Sequence, residues 1–278
     1  MVVNSGITYE ATTDTPEAHV SKLVALIENG AGEIIMRHKN TLIKRTDGDV
    51  AICEILSGFK TTPEQIKDIA AKSYLTLSNT NWDNSTAKKF AAQLLKATKP
   101  LIVAANKADQ AGADAFAGLS STLVGTPIVK CSAAIELALI KAANKGIVDY
   151  YPGAKEFKIL KEINPEQKSA LNYMQQYITK NGGTGVQELL NTAVFKALSN
   201  IVVYPVEDEG HYSDHSGNIL PDAILMEQGS TAYDLAAKIH TEIARGMKYA
   251  VDAKTKMRIQ KEHILKDGDV IKIVSTAK

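Results

Sequence analysis

The stretch Pro100-Leu-Ile-Val-Ala-Ala-Asn-Lys-Ala-Asp109 decides how this chain is interpreted. An apolar run ends here in the polar tetrapeptide Asn106-Lys-Ala-Asp109. A second apolar run, Pro127-Ile-Val-Lys-Cys131, ends in Ser132-Ala133. Short apolar runs that stop at polar turns are typical of buried strands in a parallel sheet. Because open α/β sheets bind ligands beyond the carboxyl ends of their strands, the two polar motifs are predicted to form one site.

The residue types in the two motifs match the hydrogen-bonding groups of guanine. A carboxylate at Asp109 can accept hydrogen bonds from guanine N1–H and from the exocyclic N2 amine, and adenine offers neither donor. The Asn106 amide can bond N7 and brace the loop, while the Lys107 stem can cover one face of the ring. The backbone N–H of Ala133, after Ser132, is expected to point at guanine O6. These five residues are the predicted guanine site.

A phosphate-binding loop of the form G-x-x-x-x-G-K-[ST] is absent from the sequence. Such a loop cradles phosphates with its backbone N–H groups and binds Mg²⁺ with its hydroxyl. Gly30-Ala-Gly32 lacks the following Lys-Ser/Thr, and Gly182-Gly-Thr-Gly185 leads into Val-Gln-Glu. Asp214-His-Ser-Gly217 fits the switch pattern D-x-x-G but follows the Asn-Lys-x-Asp motif, so we interpret it as a polar turn. The sequence predicts base recognition without phosphate handling.

Length and composition indicate an ordinary two-domain globular protein. The chain has 278 residues, a formal net charge of +1 and 45% hydrophobic residues. This balance gives no support to bulk nucleic-acid binding, so any nucleic-acid surface must be local. Cys53 and Cys131 are far apart in sequence, which favours a reduced, cytoplasmic compartment. No apolar run approaches the length of a membrane span, so no membrane partner is expected.

The pattern along the chain predicts an α/β fold with two parts. Thr15-Pro16-Glu17 has the residues of a helix start, and helical spacing recurs over a region of about 15–99 that is inserted between two strands. Further helices are predicted up to residue 198. From residue 199 to 278, short apolar strands around one helix predict a small β-grasp fold.

Several strings in order along the chain carry a resemblance to a known family. They are Ala104-Ala-Asn-Lys-Ala-Asp109, Gly183-Thr-Gly-Val-Gln187, Ile201-Val-Val-Tyr-Pro-Val-Glu-Asp208, Asn218-Ile-Leu-Pro-Asp-Ala223, Gly229-Ser-Thr-Ala-Tyr-Asp-Leu-Ala236, Lys238-Ile-His240 and Lys266-Asp-Gly-Asp-Val-Ile-Lys-Ile273. The chain resembles an archaeal Obg-family GTPase. Its C-terminal part resembles the TGS domain, a β-grasp module also found in threonyl-tRNA synthetases and stringent-response enzymes.

The resemblance implies a partial P-loop-GTPase-type parallel sheet with a large helical insertion in residues 1–198, and a TGS domain in residues 199–278. Val2-Val-Asn-Ser-Gly6 corresponds to the strand after the switch regions. GTP or GDP is the implied ligand, bound weakly or conditionally, because the phosphate loop and both switches are missing. Hydrolysis and Mg²⁺ binding are then expected only with an N-terminal G-domain half as partner, and the chain alone is expected to be inactive. Without the missing strands, an apolar edge of the sheet would be exposed, and it would favour association unless another segment covers it.

A basic stretch in the C-terminal part is the candidate RNA or ribosome surface that the resemblance to translation-associated GTPases favours. Between Leu235 and Lys261 there are seven basic residues against Glu242 and Asp252. The basic residues are Lys238, Arg245, Lys248, Lys254, Lys256, Arg258 and Lys261. The alternative is that this charge is a solvated face of a helix and hairpin.

The sequence also admits two interpretations in which the guanine motifs have no role. In the first, they are retained by ancestry and unused in a stand-alone, non-enzymatic adaptor that binds RNA or the ribosome. In the second, the chain is a fragment without a function of its own. Under each interpretation His211, Asp214 and His215 form a polar loop, and no metal site is predicted.

Overall fold

In the computed structural model, residues 2–4, 15–59, 61–78, 80–111, 116, 118 and 125–276 are described. The chain forms two compact units, Met1–Leu189 and Leu190–Lys278. The domain boundary expected after residue 198 remains a prediction. Ser5 and Gly6, which complete the predicted first strand, lie outside the described residues.

The first unit contains a helical segment between the first two strands of its sheet. Its helices are α1 (Pro16–Arg37), α2 (Lys39–Leu42), α3 (Gly48–Ile55), the 3₁₀ turn Ser57–Phe59, α4 (Pro63–Lys72) and α5 (Asn84–Thr98). Thr15 caps α1 by accepting a hydrogen bond from the Ala18 N–H at 3.3 Å, as the sequence predicts. Apolar side chains of these helices form a core in which the rings of Trp82 and Phe90 lie 4.7 Å apart.

A parallel sheet of three strands carries the two polar motifs. The strands are β1 (Val2–Asn4), β2 (Val103–Asn106) and β3 (Ile128–Lys130), in the order β1-β2-β3. Val103 and Ala105 of the central strand are fully buried and pack in a cluster with Val20 of α1. Burial on both sides explains why β2 reads as a continuous apolar run that ends where the site begins.

After β3 the first unit continues with α6 (Ala133–Asn144), the short hairpin β4 (Val148–Asp149) and β5 (Lys158–Ile159), α7 (Pro165–Asn181) and α8 (Val186–Asn191). Leu139 of α6 and Ile178 of α7 are fully buried in one cluster. The sequence predicts a single helix from Thr184 to Leu198, whereas α8 ends at Asn191 and a π-helical turn, Thr192–Ala197, follows.

The second unit is a mixed five-stranded sheet covered by two short helices. Its elements are β6 (Asn200–Val206), β7 (Ile224–Glu227), α9 (Ala232–Ile239), α10 (Thr241–Gly246), β8 (Met247–Asp252), β9 (Met257–Ile259) and β10 (Val270–Ser275). The strand order is β7-β6-β10-β8-β9, with β6 and β10 parallel. Leu235 of α9 and Val203 of β6 are fully buried in its core.

The fold-class prediction is confirmed: a parallel sheet with a helical insertion precedes a small mixed sheet. Among the described residues, none of the helices has both the length and the apolar character that crossing a membrane requires.

Candidate functional site

The two polar motifs lie side by side because β2 and β3 are neighbours in the sheet. Ala105 pairs with Lys130 in the parallel register, and two further backbone hydrogen bonds extend this pairing. The Cys131 N–H donates to the Ala105 carbonyl at 3.0 Å, and the Ala108 N–H donates to the Cys131 carbonyl at 3.1 Å. The loops that begin at Asn106 and Ser132 therefore leave the sheet at one edge, as expected for a ligand site in a parallel sheet.

Asn106 joins the two loops directly. Its side-chain oxygen Oδ1 accepts a hydrogen bond from the backbone N–H of Ala133 at 3.1 Å. The sequence assigns this N–H to guanine O6, but in the structure it is used inside the protein. Asn106 therefore braces the loop as predicted, and a base could take the Ala133 N–H only by displacing the Asn106 amide oxygen.

Asp109 carries a buried carboxylate oxygen that has no hydrogen-bond partner among the described residues. Its side-chain atom Oδ1 is inaccessible to solvent, and no donor within the described residues reaches it. A buried acceptor left unpaired costs about 1–3 kcal/mol, so an unpaired oxygen at this position requires an explanation. A ligand donor would remove the cost once the groups that cover this oxygen move aside.

Lys107 adopts a strained backbone conformation between these two residues. Its φ angle is +59°, a left-handed conformation that costs a side-chain-bearing residue about 1 kcal/mol or more. The Lys107 carbonyl accepts the Gln110 N–H at 3.0 Å, which closes a tight turn. This turn holds Asp109 beside the end of β2.

Ser132 is fully buried and acts as the N-cap of α6. Its hydroxyl oxygen accepts the Ile135 N–H at 3.3 Å, and its own N–H donates to the Thr184 carbonyl at 2.9 Å. The helix begins directly after Ser132, at Ala133. Ser132 contributes to the site by fixing the loop.

Two tyrosines of α7 were not predicted as site residues. The Tyr173 hydroxyl donates to the backbone carbonyl of Asp109 at 2.9 Å. Burial, followed by the nearby Asp109 charge, raises the pKa of Tyr173 and raises that of Tyr177 to about 12. Their spacing of four residues on one helix was visible in the sequence, but nothing local pointed to Asp109.

Comparison with known proteins agrees with this geometry. Residues 104–208 match the family model "Obg-like GTPase YGR210-like, G4 motif-containing domain", and residues 216–275 match the TGS domain. A crystal structure of a GTP binding protein from Pyrococcus horikoshii is 31% identical and superimposes with a TM-score of 0.79, over 99% of this chain and 77% of that one. The chain belongs to the Obg-like GTPase family.

Two more relatives define the extent of the similarity. An uncharacterized GTP-binding protein of Methanocaldococcus jannaschii is 42% identical over 231 residues, which are 82% of this chain and 58% of that protein. The chain thus spans less than two thirds of that curated relative. The YchF GTPase of Schizosaccharomyces pombe, at 15% identity and a TM-score of 0.53 over 98% of this chain and 71% of that one, shares the fold.

The TGS domain of this Obg-like chain does not gather all predicted RNA-binding residues in one stripe. The Lys238 Nζ atom donates to the Leu225 carbonyl at 2.6 Å on the edge strand β7. Arg258 lies on β9, at the opposite edge of the sheet. Four strand spacings of about 4.8 Å separate these edges, so one RNA strand could not bridge the two residues by a single phosphate.

Four of the other five predicted basic residues lie on or next to β8 and β9. Arg245 is on α10, and the remaining four residues lie along β8, in the β8–β9 turn or just after β9: Lys248, Lys254, Lys256 and Lys261. The Arg258 guanidinium stacks 3.9 Å from the centre of the Tyr249 ring, and Lys256 lies 5.2 Å from that of Tyr212. All of these basic residues except Lys261 are exposed.

The loop with His211, Asp214 and His215 is held by its own polar contacts. The His211 ring contacts Asp208 at 2.8 Å, and this contact, with two backbone N–H groups, lowers the pKa of the Asp208 carboxyl to about 2. The Asp214 carboxylate accepts bonds from the Ser216 and Asn218 N–H groups. Within the described part of the chain, no group of three His, Cys, Asp or Glu residues is placed to hold a metal ion.

Alkaline pH is expected to destabilise the first unit. Burial and then the hydrogen bond to Glu136 raise the pKa of Tyr150 to about 12, and the pKa of Tyr177 is raised to about 12. An unfolded tyrosine ionises near pH 10, so the stability that these groups contribute is present below about pH 10 and is lost as pH rises towards 12. The decline of the thermal unfolding temperature between about pH 8 and 11.5, followed by the fluorescence of the single tryptophan, Trp82, measures this loss of stability. The double substitution Tyr150→Phe/Tyr177→Phe should flatten the decline, and an unchanged decline would contradict the prediction.

Proposed function

We propose that this chain supplies the guanine-recognition half of an Obg-type GTP-binding protein. The observation that carries the proposal is the buried Oδ1 of Asp109, for which the described part of the chain offers no hydrogen-bond donor. It lies one turn after β2, next to the Asn106–Ala133 contact. Guanine provides N1–H and N2–H donors for such a carboxylate, and adenine would leave it unpaired. Asp109 is therefore assigned to the Watson–Crick edge of the base.

The neighbouring residues take complementary roles in this proposal. With its Oδ1 held by Ala133, the Asn106 amide presents Nδ2 as the donor for guanine N7. The aliphatic stem of Lys107 covers one face of the ring. Ser132 and Ala133 hold the loop that faces the base.

Phosphate handling is assigned in this proposal to a P-loop segment outside this sequence. The sequence has no G-x-x-x-x-G-K-[ST] string, whose hydroxyl would bind Mg²⁺ beside the phosphates. In the described part of the sheet, β1 pairs only with β2, which leaves its other edge for an added strand. GTP hydrolysis and Mg²⁺ binding are then properties of the assembly with an N-terminal G-domain half.

Calorimetric titration of the purified chain with GDP, GTP and ATP, each with and without Mg²⁺, tests the proposal. Base contacts alone should give weak binding, with a Kd on the order of 0.1–1 mM, for both guanine nucleotides. ATP should not bind, and Mg²⁺ should change little. Equal affinity for ATP and GDP, or no binding of GDP at millimolar concentration, would overturn the guanine assignment.

We also propose that the TGS domain contacts RNA through its β8–β9 end. Lys254, Lys256 and Arg258 are exposed there, and the Arg258–Tyr249 stack offers both a cation and an aromatic ring. Such pairs suit single-stranded RNA, which binds through phosphates and base stacking.

Fluorescence anisotropy with a labelled single-stranded RNA at several salt concentrations tests this proposal. The logarithm of the binding constant falls linearly with the logarithm of the salt concentration. Replacing Lys254, Lys256 and Arg258 with alanine should lower the magnitude of that slope by about 2. Replacing the exposed Lys168 and Lys180 of α7 should leave it unchanged. An equal slope for both variants would argue against an RNA surface at β8–β9 and favour a purely solvated face.

A further inference from the structure

A buried carboxyl group lies behind the loop that faces the proposed base. Glu136 is in the first turn of α6, four residues after Ser132, and only 7% of its surface is exposed. Its oxygen Oε2 accepts a hydrogen bond from the Tyr150 hydroxyl at 2.9 Å and one from the Thr184 hydroxyl. Burial removes water from the carboxyl at a large desolvation cost, and hydrogen bonds to such partners offset it.

Thr184 connects Glu136 to the Ser132–Ala133 loop. Its side chain is bonded to Glu136, and its backbone carbonyl accepts the Ser132 N–H at 2.9 Å. Ser132 precedes Ala133, whose N–H donates to Asn106. Three hydrogen bonds, joined by the backbone of Thr184 and the Ser132–Ala133 peptide, therefore connect the buried carboxyl to the first residue of the Asn-Lys-x-Asp motif.

The backbone around Thr184 explains why it needs an anchor. It lies between Gly183, with a φ angle of +136°, and Gly185, with a φ angle of +82°. Because glycines populate many backbone conformations, two flanking glycines do little to fix the orientation of the residue between them. Thr184 itself is 1% exposed, and its hydroxyl bond to Glu136 fixes where its carbonyl points.

We propose that Glu136 is a positioning residue for guanine recognition, which acts by fixing Thr184 and, through it, the Ser132–Ala133 loop. The proposal rests on the function proposed above for this loop. Tyr150 completes the anchor by donating its hydroxyl to the same carboxyl oxygen at 2.9 Å. The simpler view, that the three groups only satisfy one another in the core, predicts no effect on the loop beyond general stability.

The test compares Thr184→Val with Thr184→Ser in the full chain without nucleotide. Valine keeps the shape of threonine and removes the hydroxyl, whereas serine keeps the hydroxyl. Amide hydrogen exchange of Ser132 and Ala133, followed by NMR, should become about tenfold faster in Thr184→Val and remain near wild type in Thr184→Ser. Glu136→Leu should reproduce the valine result.

Thr80→Val is the matched control for a lost buried hydroxyl. Thr80 is 2% exposed and donates to the Leu77 carbonyl at 2.7 Å in the helical segment. This variant should lower stability without changing Ser132 and Ala133 exchange. Equal exchange in Thr184→Val and wild type, or an equal rise in Thr80→Val, would overturn the positioning role.

GDP titration of the same variants separates this inference from the proposed function. We expect Thr184→Val to bind GDP about tenfold more weakly than wild type and Thr184→Ser to bind like wild type. Wild-type GDP affinity in a folded Thr184→Val variant would overturn the positioning role alone. A wild-type chain that does not bind GDP would overturn the proposed function, while the exchange result still decides whether Glu136 fixes the loop.

Discussion

Replacing Asp109 with asparagine is expected to weaken GDP binding by about a hundredfold or more, which takes it out of the range that calorimetry detects, and to create binding of xanthosine diphosphate. The wild-type carboxylate only accepts hydrogen bonds, which suits the two donors N1–H and N2–H of guanine. An asparagine presents one acceptor and one donor, so its NH₂ group would meet the N2 amine of guanine without a bond. A site built to bond a polar group discriminates by this order when the match is lost.

Xanthine reverses this mismatch. It keeps N1–H but has a carbonyl oxygen at position 2, which suits the asparagine NH₂ group. The buried Oδ1 of Asp109 makes the effect large because no water reaches it in the described structure.

Calorimetric titration of wild type and Asp109→Asn with GDP and xanthosine diphosphate measures both halves of this prediction. Asp149→Asn is a suitable control, since this exposed carboxylate lies on β4 and should leave GDP binding unchanged. Loss of GDP binding without gain of the xanthine nucleotide would mean that Asp109 supports the loop and does not read the base.

Gly185→Ala is expected to destabilise the first unit by about 3 kcal/mol. A Cβ atom at this position would lie 2.0 Å from the Lys130 carbonyl oxygen and 2.8 Å from the Cys131 Cα. Both atoms are backbone at the end of β3, so they cannot rotate away as a side chain would. The positive φ angle of +82° adds a conformational cost. The β3 end should move, and the Ser132–Ala133 loop should move with it.

Gly182→Ala is the matched control, because Gly182 also has a positive φ of +73° but nothing lies within 4 Å of its Cβ position. It should lower the free energy of unfolding by only about 1 kcal/mol, the cost of placing a residue with a side chain at positive φ. Trp82 is the single tryptophan and lies in the first unit, so its fluorescence during denaturant unfolding follows that unit. Equal destabilisation by the two substitutions would contradict the close approach of Gly185 to β3.

The sequence predicts the parts of the site that depend on local patterns. The apolar runs before Asn106 and Ser132 mark strands because burial on both faces leaves no alternation, and their ends mark the ligand edge. The left-handed turn at Lys107 has no such signal, since lysine is not a residue that favours positive φ.

The contacts that complete the site connect residues far apart in sequence. Tyr173 and Asp109 are 64 residues apart, and Thr184 and Glu136 are 48 apart. A helix pattern shows which face is apolar, but it does not show which loop that face meets. The sequence singled out Gly183-Thr-Gly-Val-Gln187 as a family string, but nothing in it indicated that Thr184 bonds Glu136.

Guanine binding between the loops at 106–109 and 132–133 is the proposal on which the others depend. A ¹H–¹⁵N NMR titration of the labelled chain with GDP, and separately with ADP, tests it most directly because it detects weak binding residue by residue. We predict that the Ala108, Asp109 and Ala133 amide signals shift progressively with GDP and remain in place with ADP. Equal shifts with both nucleotides, or GDP shifts confined to other residues, would contradict it.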